Sequence, residues 1–354
     1  MKTVVTVVGI RPDFIRMSEI FKKLDQNFDH LLIHTGQHYD ELMSDVFFRE
    51  LEIRKPDYNL CIGGVGKEHF HQTADISVKL VELFRKENIK PDTVMFLGDS
   101  NSVMVAPILK KEGYHISHVE AGMRSYDKRM LEEINRTMCD HCSDIHFVYH
   151  EDYKQNLLRE NLPGSSIYNV GNTIVEVCNK IKPSIISFQK NKDFILMDIH
   201  RPENFKYKGR LYQIIDFANR CGKYFCLPVK MLKFGRTLSA INEFDLDIGA
   251  IELIDLMSYY DFLKAQYNSA FMISDSGTAS EEPSLLGTRV IVPRDFTERP
   301  QAYWNGCAHP LILDDINSVK STISWIQECP IMDTGWLGNG TTSQQIVNIL
   351  KEIL

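Results

Sequence analysis

Along the chain, short and almost wholly apolar runs alternate with stretches whose apolar residues recur at helical spacing. "KTVVTVV" precedes "FIRMSEIFKKLD", "HLLIHTG" precedes "ELMSDVFFREL", and "DTVMFLGD" precedes "VMVAPILKKEG". "ISHVEAG" then leads into "LEEINRTMCDHC", followed by "DIHFVYH". Strands with no polar face need cover on both sides, so this order predicts a parallel sheet between two layers of helices. The pattern resets after the polar stretch "QKNKDF" (189–194) and runs again through "FILMDIH", "FCLPVKM", "AIELI", "AFMISDSG" and "RVIVPRD". The expected fold is therefore α/β, with two Rossmann-like, doubly wound domains, residues 1–188 and 189–354. The last helix has the option of packing back on the first domain. Two such domains facing one another put a cleft at the carboxyl ends of both sheets.

Composition agrees with this picture and removes some function classes. A chain of 354 residues is long for one core and comfortable for two. Lys and Arg number 40 against 47 Asp and Glu, a net charge of −7, which argues against a general nucleic-acid or anionic-membrane binder. An anionic small substrate is still allowed, because a few local arginines suffice for it. No run approaches the roughly eighteen apolar residues of a membrane span, and "MKTVVTVVGIRPD" is too short in apolar length for a signal peptide. The expected location is the cytoplasm. The eight cysteines, at 61, 139, 142, 178, 221, 226, 307 and 329, read as reduced thiols. Cys139-Asp140-His141-Cys142 stands alone inside a helical pattern with no second ligand pair, so no metal site is expected there.

In a doubly wound sheet the residues that do chemistry follow the strands. After the first strand, "GIRPDFIRM" places Arg11 where a helix begins and Arg16 further along it. A helix N-terminus with a guanidinium cradles a diphosphate, although Arg11 could equally pair with Asp13. There is no GxGxxG at this turn, and "CIGGVGKEH" lacks the features of a P-loop, which weakens nicotinamide and nucleoside-triphosphate readings. "FLGDSNS" ends a strand with Asp99, "HVEAGMR" ends another with Glu120 and Arg124, and Glu132 and Glu133 open the next helix. Several carboxylates brought to one sheet mouth suggest proton transfer. In the second half, His200 and Arg201 follow "FILMDI" directly. Asp275, Ser276, Gly277 and Thr278 lie between a strand and a helix bearing Glu281 and Glu282. That turn could admit phosphate oxygens to its backbone N–H groups, with a glutamate on ribose hydroxyls. Its plainer reading is a helix capped by Ser276 with both glutamates solvated. "RDFTERPQA" adds Arg294, Glu298 and Arg299.

Taken together, "GIRPD", "HTGQHYD", "PDYNL", "GDSNS", "HVEAGMRS", "EEINR", "DSG…EEPSLLG" and "RDFTERPQA" resemble the non-hydrolysing UDP-N-acetylglucosamine 2-epimerases and their relatives acting on modified UDP-sugars, nearly end to end. The resemblance implies a glycosyltransferase-B-like pair of domains, a homodimer, and UDP-sugar as ligand, with no cofactor, metal, nucleic acid or membrane partner. It implies inversion at carbon 2 through elimination of UDP to a 1,2-alkene and re-addition, supplying an N-acetylmannosamine-type sugar for surface polysaccharide. On matching positions, Asp99, Glu120, Glu132 and His200 would be catalytic. Arg11, Arg16, Arg201, Ser276, Gly277, Thr278, Glu282 and Arg299 would bind the UDP-sugar. A hydrolysing epimerase and a UDP-sugar glycosyltransferase are the alternatives, with Arg11-Pro12 favouring the non-hydrolysing branch.

The chain also departs from the family pattern. Ile10, Asp13 and Arg16 stand where the family has Thr, Glu and Lys, and Thr278 replaces a glycine. Asp45 and Phe48 fall near the glutamines of the family's allosteric site, and Lys233 or Phe234 near its histidine, so allosteric activation is expected to be absent or altered. "VKMLKFGRT" is unusual as well and leaves the sugar open.

Overall fold

In the computed structural model, residues 1–36, 45–63, 68–186, 190–313, 315–328 and 330–354 are described. Part of the "GQHYD" motif, the Gly-Lys segment 64–67, Cys329 and the side chain of Asp45 lie outside them. The chain divides into two compact units, Met1–Val177 with Leu337–Leu354, and Cys178–Trp336. The helix Ile174–Ile186 carries the chain from one to the other, and the polar stretch at 189–194 follows it. The closing helix Thr342–Ile353 belongs to the first unit, where it packs on the helix Arg11–Asn27.

The first unit holds seven strands: β1 (Thr3–Val8), β2 (Asp29–His34), β3 (Tyr58–Asn59), β4 (Thr93–Leu97), β5 (Ile116–Val119), β6 (Ile145–Val148) and β7 (Ile167–Asn169). They form one parallel sheet in the order β3-β2-β1-β4-β5-β6-β7. The second unit repeats the plan with β8 (Phe194–Asp198), β9 (Val229–Leu232), β10 (Glu252–Ile254), β11 (Ser269–Ser274), β12 (Val290–Val292) and β13 (Ala308–Pro310). Its order is β10-β9-β8-β11-β12-β13, again parallel. Both faces of each sheet are covered, as apolar strands require. In the second unit Ile195 and Met197 pack with Leu211, Ile214 and Ala218, while Leu196 packs on the opposite face with Met272 and Val290. In the first, Val5, Val7 and Phe96 meet Ile76, Leu80 and Phe84 of the helix His69–Lys86. No helix among the described residues is long and apolar enough to cross a membrane.

Strand order reverses beside β1 and β4 in one sheet and beside β8 and β11 in the other. At such a switch point neighbouring crossovers leave on opposite faces and open a crevice at the strand ends. The turns after β1 and β4 carry Arg11 and Asp99, and those after β8 and β11 carry His200 and Ser276.

One helix inverts the usual rule. The buried residues of Leu131–Cys142 are Glu133, Asn135, Arg136, Cys139 and Asp140. Its outward residues are Leu131, Ile134 and Met138, exposed by 51%, 45% and 41%. Apolar spacing alone would have turned this helix the other way round.

Candidate active site

In the first unit the site begins where β1 ends. Pro12 suits the first turn of a helix, since it has no N–H to leave unsatisfied. Asp13 reaches back to accept from the backbone N–H groups of Gly9 (3.0 Å) and Ile10 (3.2 Å), which fixes where the helix starts. Asp13 therefore caps its own helix and lies 3.5 Å from Arg16. Burial pushes its carboxyl up to about 6, against the pull of Arg16 and the two N–H groups. The Arg11 guanidinium lies over the ring of Phe47, 5.2 Å from its centroid.

Arg16 is buried and pairs with Glu120 across the mouth of the sheet. Burial opposes its charge, but Glu120, Tyr149, Asp13 and Asp99 outweigh that and hold the guanidinium above its ordinary value. Glu120 itself is buried and stands at φ +70°, a left-handed conformation that costs a non-glycine residue about 1–3 kcal/mol. The turn that imposes it is tight. Gly122 stands at φ +78°, and a Cβ there would collide with the Tyr153 carbonyl oxygen.

Asp99 follows β4 and pairs with Arg136, which also meets Glu133 at 3.2 Å. Glu133 is fully engaged by a loop: it accepts from the Ser125 N–H (2.9 Å), the Ser125 hydroxyl (3.0 Å) and the Tyr126 N–H (2.9 Å). Glu132, one residue earlier, is partly exposed. The two adjacent glutamates thus diverge, one holding a loop and the other at the surface.

Behind these turns lies a buried network. His118 Nδ1 meets Asp140 at 2.7 Å and Nε2 meets the Gly98 carbonyl at 2.8 Å. Both ring nitrogens face acceptors, so the geometry requires an imidazolium. Burial opposes that charge, but Cys139 and Asp140 raise His118 well above the ordinary histidine value. The second Asp140 oxygen accepts from the Gly122 N–H (3.1 Å) and from Arg124 (2.7 Å), and Arg124 makes a two-pronged pair with Glu160, both contacts at 2.7 Å.

In the second unit, His200 Nδ1 lies 2.8 Å from Asp198 and 3.3 Å from Asp275. Asp275 accepts from the backbone N–H groups of His200 and Arg201, each at 3.0 Å, and from Asn204 at 3.0 Å. Burial opposes charge on His200, yet the two aspartates outweigh it and raise the imidazole. The donor atoms of Asp198, His200 and Asp275 lie within 4.8 Å of one another. The Nδ1 donates to carboxylate and Asp275 is filled by N–H donors, so this is a clamp for an imidazolium rather than a set of open metal ligands.

The Ser276-Gly277-Thr278 turn follows β11. Ser276 makes no side-chain cap; its hydroxyl meets that of Thr278 at 3.2 Å. A Cβ on Gly277 would come within 2.8 Å of the Arg299 and Glu298 side-chain ends, so a larger residue would push that pair aside. Arg299 is itself engaged by Glu298 and by Glu281 at 2.7 Å. Glu282 accepts from the Tyr259 hydroxyl (2.9 Å) and from Gln266 (3.4 Å). Both Glu281 and Glu282 are buried, so the solvated reading of this pair is corrected: the helix here is a single turn, Glu282–Leu285, folded under its neighbours.

Within the first unit, then, Arg16, Asp99 and Glu120 gather at one end of the sheet, with Arg11 opening the helix after β1 and Glu132 in the first turn of the helix Leu131–Cys142. Within the second, His200, Arg201, Ser276, Gly277, Thr278, Glu282 and Arg299 do the same. Sequence reasoning assigned no role to Arg136, Asp140, His118, Tyr259 or Asp198. Only Asp198 carried a usable signal, two residues before His200 at a strand end.

The sequence model of the family described as UDP-N-acetylglucosamine 2-epimerase matches residues 22–351. The chain is 33% identical over 361 residues to the UDP-N-acetylglucosamine 2-epimerase of Methanocaldococcus jannaschii, covering 97% of each. It is 31% identical over 359 residues to the UDP-2,3-diacetamido-2,3-dideoxy-D-glucuronate 2-epimerase of Pseudomonas aeruginosa, covering 99% of each. The crystal structure of the M. jannaschii UDP-GlcNAc 2-epimerase in complex with UDP-GlcNAc and UDP matches with a TM-score of 0.87 and 33% identity, over 99% of this chain and 100% of that one.

Proposed function

Since the chain belongs to the UDP-N-acetylglucosamine 2-epimerase family, we propose that it interconverts UDP-N-acetylglucosamine and UDP-N-acetylmannosamine, or a modified pair, without hydrolysis. The observation that carries this reading is the gathering of Asp99 and Glu120, each with its own buried arginine, at one end of a parallel sheet. In the first half-reaction the carbon 2–hydrogen bond breaks and its electron pair forms the carbon 1–carbon 2 double bond. The carbon 1–oxygen bond breaks with it, and UDP leaves with those electrons. In the second half a UDP oxygen re-forms the bond to carbon 1, and a proton reaches carbon 2 on the opposite face. One base would only restore the starting sugar, so two groups are needed. Asp99, Glu120 and Glu132 are the proposed acid–base set.

His200, raised by Asp198 and Asp275, offers positive charge to the departing diphosphate, where negative charge develops. The Ser276–Thr278 turn and Arg201 belong to the same proposed diphosphate site. Glu282, which accepts from the Tyr259 hydroxyl, is the proposed acceptor for ribose hydroxyls. Arg11 and Arg16 complete the proposed UDP-sugar contacts. Arg299 acts by holding Glu281 and Glu298 against the turn.

Proton NMR with UDP-N-acetylglucosamine in heavy water tests the reading. Deuterium at carbon 2 together with UDP-N-acetylmannosamine is expected. Free UDP with free N-acetylmannosamine would indicate the hydrolysing reaction, and transfer without exchange at carbon 2 a glycosyltransferase. The product is proposed to feed cytoplasmic synthesis of surface-polysaccharide precursors.

A homodimer is part of the same proposal, and the inverted helix Leu131–Cys142 supports it. Leu131, Ile134 and Met138 form an outward apolar stripe, and Ile108 on the adjoining helix Ala106–Lys111 is 39% exposed. A second copy would cover such a stripe. Ile134→Glu with Met138→Glu is expected to turn a dimer into a folded monomer in sedimentation velocity. A monomer before substitution would overturn the homodimer.

A further inference from the structure

We propose that Arg136 is the positioning residue for Asp99, fixing that side chain as a correctly aimed carboxylate. The proposal rests on the reading that Asp99 takes part in the proton transfer. Arg136 is among the largest fully buried side chains of the chain, at 2% exposure. A buried guanidinium needs its charge answered, and here two carboxylates answer it, Asp99 and Glu133. Glu133 cannot follow a moving partner, because three donors from Ser125 and Tyr126 hold it. Arg136 therefore spans the two carboxylates with its planar fork, Nη1 anchored on Glu133 and Nη2 on Asp99. The backbone of the same turn is tied down by Asn135, whose amide donates to the Asp99 carbonyl at 2.9 Å.

Asp99 keeps a 22% exposed side chain, so the pairing leaves part of it turned to the mouth of the sheet. Arg16 and Asp13, both on the helix after β1, also act on it. Arg16 is occupied by Glu120. Each of the two strand-end carboxylates thus has a directly paired arginine, delivered by a different helix.

The experiment is the pH profile of kcat/KM for wild type, Asp99→Asn, Arg136→Lys, Arg136→Met, and Arg136→Met combined with Glu133→Gln. Losing the cation favours the protonated acid, so the acid limb in both Met-bearing variants is expected to move up by about one to three pH units. The double variant carries no uncompensated buried glutamate and guards against simple misfolding. Arg136→Lys keeps the charge but loses the fork, so its limb should stay in place while kcat falls about tenfold at unchanged KM. An unmoved limb in the Met variants, or full kcat in Arg136→Lys, overturns the proposal. Full turnover by Asp99→Asn would instead overturn the role of Asp99 itself.

Discussion

Asp99→Asn and Glu120→Gln are each expected to lose net epimerisation by about 10²–10⁴-fold, the usual worth of a positioned proton-transfer group. The two losses should differ in kind. A variant that lacks the base facing the carbon 2 hydrogen of UDP-N-acetylglucosamine cannot begin elimination from that sugar. It takes no deuterium into it, yet still exchanges the carbon 2 hydrogen of UDP-N-acetylmannosamine. A variant that lacks the group on the opposite face shows the converse. Incubating each variant with each sugar in heavy water therefore assigns the faces, which the separate Arg136 and Arg16 partners leave open. Glu120→Gln carries an additional cost, because it strips Arg16 of its nearest carboxylate and leaves Asp13 at 3.5 Å and the weaker pull of Asp99. A thermal melt distinguishes that loss from a chemical one. Equal wash-in by both variants from both sugars would remove Asp99 and Glu120 from the proton path and leave Glu132 as the group to test.

The strands that were legible in the sequence are the ones buried on both faces. β1, β4, β5, β8 and β11 are mostly apolar and largely buried runs, and in each case the residue that carries candidate chemistry follows within three positions of the strand's end. β3, β7 and β13 were not foreseen. Each has only two or three residues and sits at a sheet edge, where pairing on one side is satisfied without a long apolar run. The candidate residues could be named because strand ends in a doubly wound fold are few. The supporting residues could not. Arg136 and Asp140 lie on a helix whose apolar residues face outward, so its periodicity pointed away from the side that matters. Tyr259 reaches Glu282 from 23 positions away, which no local pattern announces.

Asp140→Asn should destabilise the first unit by about 3–5 kcal/mol, because it leaves the buried His118 and Arg124 charges short of a partner. The sign with pH follows from the two shifts. Burial alone would raise the Asp140 carboxyl, but His118 and then Arg124 hold it well below the usual carboxylate range. Its contribution is therefore complete above the unfolded value of about 3.9 and is lost as pH falls through the folded value. His118 is raised, so its contribution is complete below about 6.5 and is lost only as pH rises through its own elevated value. Between those limits the contribution of this pair should be constant, and Asp140→Asn should lie below the wild type throughout. The loss should also be local. Asp140 ties the turn after β4 through His118 and Gly98, and the turn after β5 through Gly122 and Arg124. Amide hydrogen exchange is expected to quicken at Gly98, Asp99 and residues 120–124 while β8 and β11 of the second unit keep wild-type protection. Unchanged exchange at both turns would mean that Asp140 does not hold them. With both turns loosened, Asp99 and Glu120 lose their fixed aim together, so epimerisation should fall far more than substrate binding does, a loss in kcat at nearly constant KM.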